Sequence, residues 1–327
     1  MTTPPIRWGI LGTGRIAGVF AEGLKAQHDA KLVAVGSRTA ASAQRFADKY
    51  SVPRVHASYA DLAHDPEVDA IYVATPHPGH MEETLRCIDA GKAVLCEKPF
   101  AINTAQAQIM IEAAQAANVP LMEAMWTRFL PAVRKAVELI ESGAIGELRM
   151  IQSDFGFRTN VNPKGRLFDL NYGGGGLLDV GVYCVSLSVM LLGAVNSVAG
   201  LADIGSTGVD EQGAAVMRFH GGKIAYFSTG VRTTTPMEAT IIGSEGSIRI
   251  NSPWFVAKSL TVTSNGKTET IEVPFEGNGY HYEAAEIGRL IREKRVESDI
   301  MPWSDTIHTM QAMDRIREEW GLRYPME

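Results

Sequence analysis

The stretch GILGTGRIA puts Gly12, Gly14 and Ala17 in G-x-G-x-x-A spacing, directly after an apolar run and at the opening of a helical pattern. Glycines at these positions allow a tight turn and let the backbone approach a pyrophosphate. The first amides of the helix, at Arg15 and Ile16, then point at its charge. Strand, turn and helix in this order predict dinucleotide binding. The second apolar run, KLVAVG, ends in Ser37, Arg38 and Thr39, and no acid occurs between Asp29 and Asp48 to take a ribose 2′-hydroxyl. Arg38 suits a 2′-phosphate instead, helped by the hydroxyls of Ser37 and Thr39, so NADP is expected ahead of NAD. CEKPF, residues 96 to 100, sets Glu97, Lys98 and Pro99 where a strand runs out, the place where open α/β sheets put ligand-contacting groups. Asp179 and Tyr183 in LLDVGVYC are i and i+4 of a helical pattern, so both can face one cleft. An Asp inside such an apolar run needs a partner, because burying an unpaired carboxylate is expensive.

A doubly wound fold is the scaffold these groups require. Residues 6 to 124 alternate short apolar strands, IRWGIL, KLVAVG, DAIYVA, KAVLC and VPLMEA, with segments such as RIAGVFAEGLKA, where Ile16, Phe20 and Leu24 recur at helical spacing. Strands that are apolar throughout imply a parallel sheet covered on both faces, and hence a dinucleotide-binding Rossmann domain over residues 1–125. From Met125 the pattern changes to one or two helices and then, between Asn196 and Val273, to strands of period-2 alternation. Asn265-Gly266 predicts a hairpin turn, and GSEG at 243 to 246 another. Residues 126–327 therefore read as an α+β domain with an open, predominantly antiparallel sheet for substrate binding and oligomerisation, closed by helices at roughly 281 to 293 and 304 to 319. The strand KIAYFST carries apolar groups on both faces. Helices are expected on one face and a second subunit on the other, giving a homo-oligomer, dimer or tetramer. The GGGG run at 173 to 176 lacks the strand and the GK[ST] of a phosphate loop and reads as a flexible lead into the helix of Asp179 and Tyr183.

A formal net charge of -6 over 327 residues argues against nucleic acid or an anionic membrane surface as the main partner and leaves small molecules. Cys87, Cys96 and Cys184 form no CxxC pair and sit among aliphatic residues, so buried free thiols in a reducing compartment are expected. MTTPPIRW shows no export signal, which makes the cytoplasm the expected location. The apolar run from Leu177 to Val195 is interrupted by Asp179, Gly181 and Tyr183 and has no basic flanks, so it reads as a helix buried in protein. His77 and His80, with no acid or Cys in a matching arrangement, make a poor metal site, and no metal is expected. Trp126, Phe155, Phe157, Trp254 and Tyr280 are candidates for a substrate wall, because such rings stack on a sugar's CH face or enclose an arene. Arg158 and Arg166 are candidates to bind substrate hydroxyls.

Taken in order, the Gly-rich fingerprint, ATP followed by HPGH (74 to 80), CEKP (96 to 99), EAMWTRF (123 to 129) and GGGGLLDVGVYC (173 to 184) resemble the Gfo/Idh/MocA oxidoreductases over essentially the whole chain. Within them the sequence is most similar to the branch of dihydrodiol dehydrogenases, xylose dehydrogenases and anhydrofructose reductase-like enzymes. The resemblance implies a Rossmann domain, an open antiparallel α/β domain, and an active site between them. It makes Lys98 the catalytic lysine and a cofactor contact, and Asp179 and Tyr183 the acid and the phenol of a DxxxY pattern. Tyr183 stands where many relatives outside the branch have His, and His77 where the wider family often has Asn. By the same resemblance Thr75, His77, His80, Glu97, Trp126 and Arg128 line the cofactor, and the Lys98-Pro99 bond is cis. The chemistry agrees: oxidising a secondary alcohol pairs hydride loss with proton loss. Free Tyr and Lys titrate near 10, so a base working at neutral pH must titrate roughly three pH units lower, about 4 kcal/mol. Lys98 and Tyr183 as one coupled pair could supply that, with either as the proton donor. The expected function is an NADP(H)-dependent dehydrogenase or reductase of CH–OH groups, exchanging hydride with a secondary alcohol, carbonyl or hemiacetal carbon of a sugar, polyol or cyclic diol. Two readings stay open beside it: a tightly held nicotinamide recycled in place, and a non-catalytic NADP(H)-binding sensor or scaffold.

Overall fold

The computed structural model describes residues 4–327. The chain divides into two compact units. The first takes in the chain up to Ala101, Ala105–Trp126 and Glu276–Trp303; the second is Ile102–Thr104, Thr127–Phe275 and Ser304–Glu327. A consecutive split near residue 125 therefore misses that residues 276–303 return to the first unit.

In the first unit the strands are β1 (Ile6–Leu11), β2 (Ala30–Gly36), β3 (Arg54–His56), β4 (Ala70–Val73), β5 (Ala93–Glu97) and β6 (Leu121–Ala124). They form a wholly parallel sheet in the order β3-β2-β1-β4-β5-β6. β4 and β5 are buried along their full length, as a sheet covered on both faces requires. The crossovers are α1 (Arg15–Leu24), α2 (Ala40–Tyr50), α3 (Tyr59–Ala63), α4 (His80–Asp89) and α5 (Thr104–Ala117). Local chemistry sets their starts: Thr39 accepts the Ser42 amide at 3.3 Å to cap α2, and Ser58 accepts that of Asp61 at 3.0 Å to cap α3. Phe20 of α1 stacks on Tyr72 of β4 at 3.9 Å between centroids and meets Trp8 of β1 edge-on at 5.3 Å. Each such buried ring contributes roughly 1.5–3 kcal/mol. The returning segment packs on the same sheet. The Leu121 amide donates to Val296 O at 3.0 Å, the Trp303 indole to Leu121 O at 2.8 Å, and Asn278 to Val19 O at 2.7 Å.

The second unit begins with α6 (Pro131–Glu141) and β7 (Leu148–Gly156). A π-turn at Leu177–Gly181 then leads directly into α7 (Val182–Leu192). β8 (Val195–Ile204), β9 (Asp210–Phe219), β10 (Ile224–Gly230), β11 (Ala239–Gly243), β12 (Gly246–Ile250), β13 (Ser259–Ser264) and β14 (Lys267–Glu272) follow. Residues 281–293 form α8 (His281–Glu293), which belongs to the first unit, and α9 (Trp303–Trp320) ends the chain's helices. The eight-stranded sheet runs β14-β13-β12-β11-β7-β10-β9-β8 and is antiparallel except for the β7–β10 pair. Both hairpin turns lie where the sequence puts them, with Asn265 and Gly266 at positive φ between β13 and β14. The strand the sequence pattern did not reveal is β7. Arg149, Gln152 and Asp154 break its apolar run, yet it lies near the middle of the sheet, where Asp154 accepts the Glu238 amide at 3.2 Å. The apolar run ending in α7 is buried within this unit, against β7 and β10.

Candidate active site

The first unit presents a nucleotide cradle. Gly12, at φ +111°, sits so close to β4 that a Cβ would lie 2.7 Å from Ala74 O. At Gly14 a Cβ would meet nothing within 4 Å, so open space lies over the turn. No side chain caps α1 at Gly14, which leaves the helix's first amides to a ligand. Beside the turn a cleft of about 870 Å³ is lined by Thr13, Gly14, Arg15, Ser42, Arg45 and Lys49, three of them cationic. The fit to a dinucleotide rests on these residues. Ser37 is buried, with its hydroxyl 3.4 Å from that of Thr13. Arg38 is exposed, and its charge lies by the Tyr59 phenol, whose titration burial raises and Arg38 lowers.

The turn after β5 is held from several sides. The Lys98-Pro99 bond is cis. Glu97 accepts the Lys98 amide at 3.1 Å and also takes the Tyr72 phenol, while Glu123 accepts the Phe100 amide at 3.2 Å. His80 is fully buried, its Nδ1 2.8 Å from Pro99 O and its Nε2 2.9 Å from Thr75 O. The imidazole thus ties the Lys98 turn to the Thr75 turn. Burial drives its pKa below the usual histidine value against those two carbonyls. His77 lies next to it, ring to ring at 5.7 Å, and Lys98 is partly exposed. Trp126 stacks on Tyr280 at 4.6 Å, so two residues that the sequence offered separately form one aromatic plate in this unit.

In the second unit the π-turn widens the backbone at Asp179 just before α7 delivers Tyr183, a distortion frequent at functional sites. Asp179 accepts Arg166 Nη1 at 2.7 Å, which supplies the partner its burial demands. Tyr183 is buried among rings: Phe155 at 5.3 Å, Phe255 at 6.1 Å and Trp254 at 6.5 Å. Trp254 Nε1 donates to Asp154 O at 2.9 Å, and Phe157 packs beside the Phe168, Val209 and Val231 cluster. Arg128 is 2% exposed and gives its guanidinium to the Ser186 hydroxyl at 3.0 Å, to Ser186 O at 2.9 Å and to Asp305 at 2.6 Å. Arg158 is exposed.

The glycine run at 173–176 is not the loose lead that its composition suggests. All four glycines are buried. Tyr324 donates to Gly174 O at 2.8 Å, Thr229 to Gly176 O at 3.1 Å, and the Gly175 amide to Leu167 O at 2.9 Å. Close packing demands glycine here: a Cβ on Gly175, whose φ is +112°, would stand 1.9 Å from Asp210 Oδ1.

Sequence reasoning passed over Tyr72, Phe255, Asp210 and Glu283. Glu283 on α8 is fully buried, and burial together with Glu97 pushes its carboxyl well above the usual range. The one signal for it was a Glu on the apolar face of an amphipathic helix.

Both units have counterparts among known proteins. A family model described as an oxidoreductase family with an NAD-binding Rossmann fold matches residues 6–125, and a Gfo/Idh/MocA C-terminal domain matches residues 133–249. The trans-1,2-dihydrobenzene-1,2-diol dehydrogenase of Mus musculus is 34% identical, covering 98% of this chain and 99% of that protein. A 3-ketoreductase from Actinomadura kijaniata in complex with NADP and TDP-benzene is 24% identical, with a TM-score of 0.85 over 97% of this chain and 98% of that one. A levoglucosan dehydrogenase in complex with NADH and L-sorbose is 20% identical, with a TM-score of 0.89 over 98% and 97%. Of these two solved structures one holds NADP and the other NADH.

Proposed function

The chain belongs to the Gfo/Idh/MocA oxidoreductase family, and from that membership we propose that it is an NADP(H)-dependent dehydrogenase or reductase of CH–OH groups. Its substrate is a sugar, polyol or cyclic diol, the class to which the mouse relative's dihydrodiol belongs. The observation that carries the reading is a phenol and a carboxylate delivered by one turn, Tyr183 among aromatic rings and Asp179 paired with Arg166. Rings suit the apolar face of a cyclic substrate, and the Asp179–Arg166 pair suits its hydroxyls. The bound nicotinamide supplies hydride transfer. Tyr183 moves the hydroxyl proton, and Asp179 orients the hydroxyl.

NADP ahead of NAD is supported by Arg38 at the end of β2, with no acid near it in sequence. Three buried thiols support a reducing compartment, the cytoplasm. A spectrophotometric screen of NADP+ and NAD+ against trans-dihydrodiols, aldoses and inositols, and of NADPH and NADH against 1,2-dicarbonyls and anhydrofructose, identifies substrate and direction. Tyr183→Phe keeps the ring and deletes the proton, so kcat is expected to fall about 10²–10⁴-fold with NADP+ affinity retained. Unchanged turnover in that variant would sink the assignment. Nicotinamide that stays with the protein through gel filtration would favour recycling in place.

A further inference from the structure

We propose that Asp210 is a positioning residue for this chemistry: its buried carboxylate holds the first turn of the segment that delivers Asp179 and Tyr183. The proposal rests on the function proposed above, because only a reacting Tyr183 makes its orientation matter to turnover.

Asp210 opens β9 and is wholly buried. Its Oδ2 accepts the Leu177 amide at 2.6 Å, and the Gly176 amide also bonds to the carboxylate. Those amides open the π-turn, where no carbonyl within the turn can reach them. Leu177 is two residues before Asp179 and six before Tyr183 in a continuous helical segment. A shift of the first turn is therefore carried to both side chains. The opposite oxygen, Oδ1, lies against Gly175, where a Cβ could not be placed, and among the described residues no group donates to it. The carboxylate is thus gripped on one side by amides and on the other by backbone. Thr229 of β10 fixes the Gly176 carbonyl, so the turn is tied to two adjacent strands.

The charged and titratable groups around Asp210 are few. Arg317 of α9 acts on it from a distance while bonded to Asp314 and Glu327, and the Tyr324 phenol is committed to Gly174 O. Burial, against the amides and Arg317, pushes the Asp210 carboxyl up to about 7. The ionised form is the stronger acceptor for the Leu177 and Gly176 amides. Protonation as pH falls through neutrality weakens those two hydrogen bonds while relieving the cost of a buried charge.

The test uses the full chain with NADP+ and, as probes, trans-1,2-dihydrobenzene-1,2-diol and D-xylose. Wild-type kcat is expected to fall about tenfold between pH 8 and pH 6, following an apparent pKa near that of Asp210. Asp210→Asn is expected to lower kcat at pH 8 at least about tenfold, to lose that acid limb, and to keep its NADP+ dissociation constant within about twofold. Wild-type kcat with an unchanged limb in Asp210→Asn overturns the proposal. Amide exchange gives a readout independent of turnover, with residues 176–183 expected to exchange at least about tenfold faster in the variant while β1 to β5 stay protected. If the wild type oxidises neither probe with NADP+, that failure belongs to the functional reading, and exchange alone decides: equal protection of 176–183 overturns the positioning role. Should Asp210→Asn not fold, the wild type decides. Protection of 176–183 relative to 184–192 must change between pH 6 and pH 8 as Asp210 ionises, and a flat ratio overturns the proposal.

Discussion

We propose that cofactor choice turns on Arg38. Its guanidinium is exposed just past the end of β2, free of the burial that would make it a packing residue, and a planar guanidinium suits a phosphate. Arg38→Ala should raise the KM for NADP+ about 10–100-fold and leave that for NAD+ within about twofold, the signature of one lost charge-assisted contact. Equal effects on both dinucleotides would remove Arg38 from the specificity role. Legibility at this scale follows the range of the cause. Lys98, Asp179 and Tyr183 stand in short motifs that the family resemblance picks out, and Arg166 was visible as a candidate though not as the partner of Asp179. Asp210 and Glu283 are ordinary acids in an ordinary strand and helix, and only tertiary burial makes them unusual.

Among the elements, the two turns that hold the candidate catalytic residues are braced by groups from elsewhere. The β5 turn leans on His80 and Glu123, and the π-turn leans on Asp210 and Thr229. These braces titrate in opposite senses. His80 has a folded pKa below its unfolded 6.5, so its contribution is present above pH 6.5 and is lost as pH falls through the lowered value. Asp210 has a folded pKa of about 7 against 3.8 unfolded, so its contribution is present below pH 3.8 and is lost as pH rises through 7, about 4 kcal/mol in all. Comparing urea midpoints of wild type and His80→Gln from pH 7 to pH 5 isolates the first effect. The wild type should lose stability relative to the variant across that interval, and parallel curves would show that His80 does not charge on unfolding. Period-2 and period-3.6 patterns foretold most elements, including the hairpin at Asn265-Gly266. They failed at β7, whose polar outward residues mask its alternation, and at the glycine run, where a composition that suggests looseness serves close packing against Asp210.

At the scale of the whole molecule, one face of the second sheet is more apolar than a lone subunit needs. Leu201 is 84% exposed, and Val216 and Tyr226, paired across β9 and β10, are also exposed. We propose that a second copy covers this face, since the sheet's other face already carries α6 and α7. Light scattering after gel filtration should give at least a dimer for the wild type and a lower mass for Leu201→Asp, while a wild-type monomer would end the proposal. The two-part architecture was plain in the sequence because strand texture changes after β6, whereas the return of residues 276–303 was not, because an amphipathic helix does not announce which sheet it will cover. That return has a consequence for biosynthesis. β6 is completed only when its Leu121 amide meets Val296 and its Leu121 carbonyl meets Trp303. A nascent chain halted on the ribosome after β6 holds the nucleotide cradle but lacks the helix that seals its sheet. The first unit to be translated therefore finishes folding only once residues 276–303 have been made, after almost all of the second.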